Sequence, residues 1–129
     1  LSKKYPSTPI IVGGDMNGHA SFVDTEEEFN VLYKKTDLLD TSLIPPLPVE
    51  QRWSYIYFDR GGNRFLQQLD YLFIGKKFEK LIVKDSVKYL RYKTSHDEDF
   101  ILPTRPSQKN LFPSDHCPLV AMLEFPHSS

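Results

Sequence analysis

Two short turns at opposite ends of the chain carry side chains that can bind a cation or move a proton. GGDMNG (residues 13–18) follows the apolar run 9–12, and SDH (residues 114–116) precedes the apolar run 117–125. Glycines let a backbone approach a ligand closely, while carboxylate, amide and imidazole groups supply ligands and titratable sites. Taken alone, each turn is more typical of ordinary structure, an Asx turn in the first case and a loop cap beside a surface histidine in the second.

A third acid, Asp70, lies inside the apolar segment QQLDYLF (residues 67–73). Burying an unpaired carboxylate costs several kcal/mol, so Asp70 requires a cationic or hydrogen-donating partner. A histidine would serve, because a carboxylate behind an imidazole fixes the tautomer that acid–base catalysis uses. The alternative is a structural ion pair with Arg64 or Lys76.

The segments around these residues predict a fold in which strands outnumber helices. The first strand is β-branched and apolar, which predicts that it is buried and that it breaks at the glycine pair 13–14. A turn at residues 59–63 connects two later strands. Strands are predicted at residues 9–12, 53–58, 66–74, 81–92 (one strand or two) and 117–125.

One helix and two loops complete the prediction. The helix covers residues 26–35, with Asp24 or Thr25 as its N-cap and acids in its first turn. The proline-rich segment 44–48 predicts a loop. Residues 93–113 predict a loop of about 20 residues, a length that is usually functional or mobile. The buried stripe of the helix would consist of Phe29, Leu32 and Tyr33.

Composition excludes several classes of protein. The 129 residues carry 16 basic and 17 acidic side chains, so a net charge of −1 gives no bulk attraction to nucleic acid or anionic membranes. No apolar run approaches the roughly 18 residues that a membrane span needs. Cys117 is the only cysteine, which rules out an internal disulfide and favours an intracellular location, cytoplasmic or nuclear. Because the chain opens on Leu1, we expect it to be a piece of a longer protein.

Together, the three motifs resemble those of the endonuclease/exonuclease/phosphatase superfamily, whose fold is deoxyribonuclease-I-like. GGDMNG is similar to the GD-aromatic-N signature, LDYLF to the (I/L)DY(I/L)F signature and SDHCPL to the SDHxP(L/V) signature, in the same order over residues 10–123. The segment Trp53-Ser54-Tyr55 is similar to an aromatic-Thr-Tyr strand that precedes the LDY strand in many members. Met16 replaces the usual Phe at a position that should pack under the turn, where Met is a tolerable substitute.

The resemblance implies hydrolysis of phosphodiesters or phosphomonoesters with Mg²⁺ or Mn²⁺. Asp15 would orient or deprotonate the attacking water, and Asn17 would hold a phosphate oxygen or help to place that water. Asp115 would be a metal ligand. His116 would contact the scissile phosphate or act as the acid–base imidazole, with Asp70 as its supporting carboxylate. Hard oxygen ligands without a Cys–His cluster favour Mg²⁺ over zinc.

The resemblance also implies an α/β (α+β) fold that is only half present. The expected structure is the C-terminal half of a four-layer α/β/β/α sandwich, a mostly antiparallel mixed sheet with flanking helices, in which residues 1–129 form a single partial domain. The N-terminal half normally brings an Asn and the main metal-binding Glu, while the glutamates at 26–28 look like a solvated helix face. We therefore expect one uncovered apolar sheet face, an inactive chain in isolation, and a missing N-terminal half of the same protein that completes the site.

The expected substrate is nucleic acid, with RNA slightly favoured over DNA. The run from Leu102-Pro103 to FPSDH (residues 112–116) is similar to the ending of the deadenylase and nocturnin-like branch. The alternatives are a sphingomyelinase-like or small-molecule phosphodiesterase or phosphatase, which an apolar loop near the site would indicate, and a non-catalytic scaffold domain. Aromatic residues could stack on bases or form core, and lysines could follow a phosphate backbone or be merely solvated. These residues are Trp53, Tyr55, Tyr57, Lys76, Lys77, Lys80 and Lys84.

Overall fold

The computed structural model of the chain describes residues 4, 7–18 and 27–126. Within these residues the fold is mixed α and β, with short strands that pair antiparallel and few helices. The predicted α+β class is confirmed at this level. The strands are β1 (Ile11–Asp15), β2 (Leu38–Asp40), β3 (Tyr55–Phe58), β4 (Arg64–Gln67), β5 (Asp70–Gly75), β6 (Lys88–Tyr89) and β7 (Leu119–Val120). The helices are α1 (Glu27–Lys35) and the 3₁₀ helices Val49–Gln51, Lys76–Leu81 and Pro106–Leu111.

Strand β5 is the centre of a three-stranded sheet with the order β1-β5-β2. Its side chains alternate between the two faces, as the period of a strand requires. Tyr71 and Phe73 are buried on one face, with ring centroids 5.4 Å apart, and Phe29 of α1 packs 5.2 Å from Tyr71. The other face carries Asp70 and Ile74. This strand therefore anchors the core on one side and presents an acid at its first residue on the other.

A second core lies under the β3–β4 hairpin. Trp53, Ile56 and Cys117 are buried there. The segment 115–117 runs antiparallel beside the start of β3, because the Ile56 N–H donates to the main-chain oxygen of Asp115 (3.2 Å) and the Cys117 N–H donates to that of Ser54 (2.6 Å). This pairing carries the C-terminal SDH motif to the edge of the hairpin, next to the beginning of β5.

The predicted break at the first glycine pair is wrong. Strand β1 continues through Gly13 and Gly14 to Asp15, and each of its residues pairs with a residue of β5. A Cβ atom at Gly13 would lie 2.6 Å from Leu72 Cδ2 on the paired strand. This glycine therefore makes room for a neighbouring side chain within the sheet, and the chain does not turn there.

The predicted burial of the first strand is also wrong for this chain. Ile11 and Val12 are 46% and 38% exposed, although both are apolar and β-branched. In the sheet order, β1 lies at one edge and pairs with β5. The side chains of this edge strand are therefore exposed on both faces of the sheet.

The predicted strand at 66–74 is two strands. β4 ends at Gln67 and β5 begins at Asp70, since the chain leaves the hairpin and enters the three-stranded sheet between them. Strand β2 was not predicted; three residues are too short for a clear pattern. The regions 81–92 and 117–125 are mostly irregular, because their strands β6 and β7 pair over only two residues each.

The predicted helix and the two predicted loops are present, with differences in detail. Helix α1 begins at Glu27, and its proposed caps Asp24 and Thr25 lie outside the described residues. On its expected stripe Phe29 is buried, whereas Tyr33 is 36% exposed. Residues 44–48 are irregular, as predicted, and the long loop 93–113 contains the 3₁₀ helix Pro106–Leu111. None of the helices in the described part of the chain has the length and apolar composition that crossing a bilayer requires.

Candidate active site

Two carboxylates face each other across the first strand pair. Asp15, the last residue of β1, is the register partner of Asp70, the first residue of β5. Like charges directly opposite each other in an antiparallel pair destabilise a sheet. Two acids at one strand end therefore indicate a chemical role, or a positive or hydrogen-donating group between them that compensates for the repulsion.

His116 supplies that group. Its Nδ1 atom lies 2.7 Å from Asp70 Oδ2, and its Nε2 atom lies 4.0 Å from Asp15 Oδ2. The predicted contact between Asp70 and an imidazole is therefore present. The alternative partners of Asp70 are not used: Arg64 donates to the main-chain oxygen of Pro103, and Lys76 follows the opposite end of β5. The three residues form the one group of potential metal ligands found within the described residues.

His116 is held through both its main chain and its ring. Tyr55 pairs with His116 in a β-bridge, and their ring centroids are 4.8 Å apart. The Tyr92 hydroxyl donates to the main-chain oxygen of His116 at 2.8 Å. The side chain is 32% exposed, so one edge of the ring remains accessible. These contacts leave Nε2 as the ring nitrogen that faces Asp15.

Ser54 connects the segment that carries His116 to the strand that carries Asp70. Its Oγ atom, fully buried, accepts hydrogen bonds from the main-chain N–H groups of Leu69 and Asp70, both at 3.0 Å. Its main-chain oxygen accepts the bond from Cys117 described above. Sequence reasoning assigned no role to Ser54, although it stands in the Trp-Ser-Tyr segment that carries part of the resemblance.

Replacing Ser54 with alanine is expected to lower the free energy of unfolding by about 1–3 kcal/mol, because a buried and a partly buried N–H donor lose their acceptor. Chemical denaturation of the intact protein measures this change. Ser107, which is exposed, offers the matched control, and Ser107→Ala should fall within about 0.5 kcal/mol of the wild type. An equal effect of both substitutions would contradict the bridging role of Ser54.

Asp15 takes part in two interactions at once. Its Oδ1 atom accepts a hydrogen bond from the main-chain N–H of Asn17 at 2.8 Å, which is an Asx turn, while Oδ2 faces His116. Asn17 has a positive φ of 51°, a conformation that asparagine tolerates better than most residues. The structural interpretation of the first turn and the chemical one are therefore compatible, since each uses a different oxygen.

Asp115 lies beside this trio but points to another partner. Its Oδ2 atom is 3.3 Å from the ammonium group of Lys109, which stands on the 3₁₀ helix Pro106–Leu111. The Asp115 carboxylate is 42% exposed, so it remains accessible to a further ligand. Sequence reasoning singled out Asp115 but not Lys109, because a single lysine in a polar loop carries no local signal.

A buried polar network lies beneath Asp70. The Tyr89 hydroxyl donates to the main-chain oxygen of Asp70 at 2.8 Å and accepts from the Gln68 amide, also at 2.8 Å. Gln68 in turn lies 3.3 Å from a carboxylate oxygen of Asp40. Burial raises the pKa of Asp40, and hydrogen bonds from Ser42 and Gln68 oppose that shift. Asp40 ends an apolar pair, Leu38-Leu39, so the same pattern that singled out Asp70 would have found it.

Several other residues considered in the sequence lie away from this cluster. Trp53 is buried, and the Arg91 guanidinium lies 3.6 Å from its ring centroid, which identifies it as a core residue. The far end of β5 is about 17 Å from Asp70 at the usual rise of a strand; the lysines at 76, 77 and 80 lie on the 3₁₀ helix that follows it, and Lys84 comes after that helix. Burial raises the pKa of the Cys117 thiol, which suits an inert core residue. His96 is exposed, and His19 lies outside the described residues.

No protein-family model, no curated protein and no solved structure matches this chain in comparisons with known proteins. The resemblance to the endonuclease/exonuclease/phosphatase superfamily therefore depends on the three motifs quoted above. The structural observation that stands beside it is the convergence of one residue from each motif, Asp15, Asp70 and His116, on one site.

Proposed function

We propose that the intact protein to which this chain belongs is a divalent-metal-dependent phosphodiesterase that acts on nucleic acid, with RNA slightly favoured over DNA. The observation that carries the proposal is the His116 imidazole, held between the carboxylates of Asp70 (2.7 Å) and Asp15 (4.0 Å). An imidazole with one bonded and one open nitrogen is suited to transferring a proton to or from a reacting oxygen. The three motifs that resemble the superfamily contribute these three residues.

Asp70 and His116 act as a pair in this proposal. When Nδ1–H donates to Asp70 Oδ2, the tautomer is fixed and the Nε2 lone pair faces outward. The 4.0 Å gap between Nε2 and Asp15 is too long for a hydrogen bond, so a water molecule or phosphate oxygen can contact both groups there. His116 would then hold the scissile phosphate or move a proton at Nε2.

Asp15 would orient or deprotonate the attacking water through Oδ2. Its Oδ1 atom accepts the Asn17 N–H bond, which supports this role because the carboxylate cannot turn freely. Asn17 is exposed at the same turn, and its side-chain amide would donate a hydrogen bond to a phosphate oxygen. Phosphoryl transfer mainly requires an oriented nucleophile and hydrogen-bond donors to the phosphate oxygens.

The donor set fits Mg²⁺ or Mn²⁺ through Asp115. Mg²⁺ in proteins is usually held by one or two carboxylates, with water and substrate phosphate as its other ligands. Asp115 offers such a partly exposed carboxylate, whereas the Asp70 oxygen nearest the imidazole is already used by His116. A bound divalent cation would neutralise charge that develops on the phosphate. We therefore assign Asp115 to the metal and the trio to proton transfer.

We further propose that a second half of the same protein completes the site and the sandwich fold. In this assignment one carboxylate of the described residues, Asp115, is given to the metal, and the resemblance implies an additional glutamate. The exposed apolar strand β1, with Ile11 at 46% and Val12 at 38%, supports an uncovered sheet face that another part of the protein packs against. In this proposal the 129-residue chain by itself is inactive.

Exposed aromatic rings support nucleic acid as the substrate. Tyr57 of β3 and Phe65 of β4 are paired in register, are 42% and 46% exposed, and have ring centroids 6.1 Å apart. Exposed rings can stack with unpaired bases, and each such contact is worth about 1–3 kcal/mol. Of the three aromatic residues considered in the sequence, Tyr57 is thus the one available for stacking.

A lipid-like phosphodiester is the second candidate substrate. Ile101 and Leu111, in the long loop that leads to the SDH motif, are 92% and 74% exposed. Fully exposed large apolar residues near an active site suit an apolar substrate or a lipid surface. This observation favours the sphingomyelinase-like alternative more than the sequence did.

Cleavage assays on the intact protein separate these candidates. We expect Mg²⁺-dependent cleavage of single-stranded RNA at least as fast as of single-stranded DNA, and a loss on the order of 10²-fold or more with EDTA, because metal charge stabilisation is removed. Faster turnover of a sphingomyelin analogue than of either polymer would support the lipid alternative. No turnover of any substrate, together with no Mg²⁺ binding by calorimetry, would contradict the proposal and leave a non-catalytic scaffold domain.

A further inference from the structure

Lys109 is a basic residue beside the candidate site that none of the motifs contains. Its ammonium group lies 3.3 Å from Asp115 Oδ2 and 5.2 Å from the centroid of the Tyr55 ring. The same Tyr55 ring lies 4.8 Å from the ring of His116. The side chain of Lys109 is only 23% exposed. These contacts therefore keep the ammonium group close to Asp115 and His116 of the SDH motif.

The partner of Lys109 is the residue that we assign to the metal. A carboxylate that already has an ammonium group at 3.3 Å is partly neutralised, and a dication that binds it must displace or repel that group. We propose that Lys109 and the divalent cation compete for Asp115, and that Lys109 binds a phosphate oxygen of the substrate once the cation holds Asp115. This inference rests on the proposed function.

The contact with Tyr55 would keep the displaced lysine near the site. A cation near an aromatic face is weakly attracted to it, so the ammonium group keeps a second contact when Asp115 is taken. A lysine ammonium carries three donors on a flexible stem and binds phosphate as a point charge. Both properties suit a group that moves a short distance from a carboxylate to a phosphate oxygen.

The proposal predicts effects of opposite sign for a single substitution. In Lys109→Met, the dissociation constant for Mn²⁺ should fall by about two- to fivefold, because a partly exposed ion pair of this kind no longer competes. The KM for single-stranded RNA at saturating Mg²⁺ should rise by about fivefold, because one charged phosphate contact is lost. If Lys109 had a purely structural role, its replacement would weaken the binding of both Mn²⁺ and RNA.

Titration calorimetry with Mn²⁺ and steady-state cleavage by the intact protein measure the two effects. Lys109→Arg, which keeps the charge, should stay within about twofold of the wild type for Mn²⁺. Lys35→Met, at the last residue of helix α1, controls for the loss of one positive charge outside the candidate site. Thermal unfolding shows that the variants are folded.

The outcomes separate the inference from the function on which it rests. Wild-type binding of Mn²⁺ with an unchanged or weaker affinity in Lys109→Met would overturn the competition. A tighter affinity with an unchanged KM would overturn the phosphate contact. A wild-type protein that neither binds Mn²⁺ nor cleaves RNA would instead overturn the proposed function, and this inference with it.

Discussion

Replacing His116 with alanine should lower kcat for phosphodiester cleavage by about 10²–10⁴-fold, the usual contribution of a positioned acid–base group. The imidazole lies between the two carboxylates, at 2.7 Å from Asp70 and 4.0 Å from Asp15. Its side chain is partly exposed, so its removal opens no core cavity and the fold should persist. Single-turnover cleavage by the intact protein, with circular dichroism to check the fold, measures the loss.

A second histidine offers the control for this substitution. His96 is exposed in the loop 93–113, and alanine there should change the rate by no more than about twofold, as expected of a surface position. Retention of more than about a tenth of the wild-type rate in His116→Ala would remove the imidazole from the chemical step. The candidate site would then be a structural cluster.

Replacing Asp70 with asparagine should lower kcat by about 10–10²-fold, the usual cost of losing a group that orients a functional histidine. The carboxylate accepts the Nδ1–H bond at 2.7 Å and so selects the tautomer in which Nε2 is open. An asparagine amide can present either its oxygen or its NH₂ group to the ring, so it no longer enforces that tautomer. Asp99→Asn, on an exposed loop residue, is the matched control.

A double-mutant cycle tests whether Asp70 acts through His116. If the two form a unit, adding Asp70→Asn to His116→Ala should produce no further loss of kcat, since residues that act together are strongly non-additive. Independent losses that multiply would mean that Asp70 has a separate role, such as direct contact with the metal. The urea midpoint of each variant should be recorded as well, because Asp70 also opens the central strand β5.

Local patterns were sufficient to find the elements that carry the site. The apolar run around QQLDYLF predicted a strand at residues 66–74 with an acid inside it, and Asp70 is the first residue of β5, the second of the two strands found there. The need of a buried carboxylate for a partner predicted a cationic or hydrogen-donating group beside Asp70, with an imidazole, Arg64 or Lys76 as the options, and the structure places His116 at 2.7 Å. Each of these inferences depends on neighbours in the sequence or on the cost of burying a charge, and both quantities can be read from residue types.

Other features were mispredicted because they depend on residues distant in sequence. Gly13 was expected to break a strand, but its lack of a side chain accommodates Leu72 across the sheet. Ile11 was expected to be buried because it is apolar, yet its exposure depends on what packs over the sheet. Strand β2 is defined by its bonds to β5 more than by its three residues. In each case, residues distant in the sequence determine the outcome: the partner strand for Gly13 and β2, and the packing over the sheet for Ile11.

The sequence by itself determined which side chains have chemistry to offer, since the motifs specify acids, an amide and a histidine at strand ends. Only the tertiary structure decided how they combine: Asp15 is opposite Asp70, the segment 115–117 pairs beside β3, and His116 therefore lies between the two acids. It also revealed Ser54 as a bridge and Lys109 as the partner of Asp115. The physical reason is that pairing register and long-range contacts depend on how the whole chain packs, while the residue types that can bind a cation or a proton are a local property.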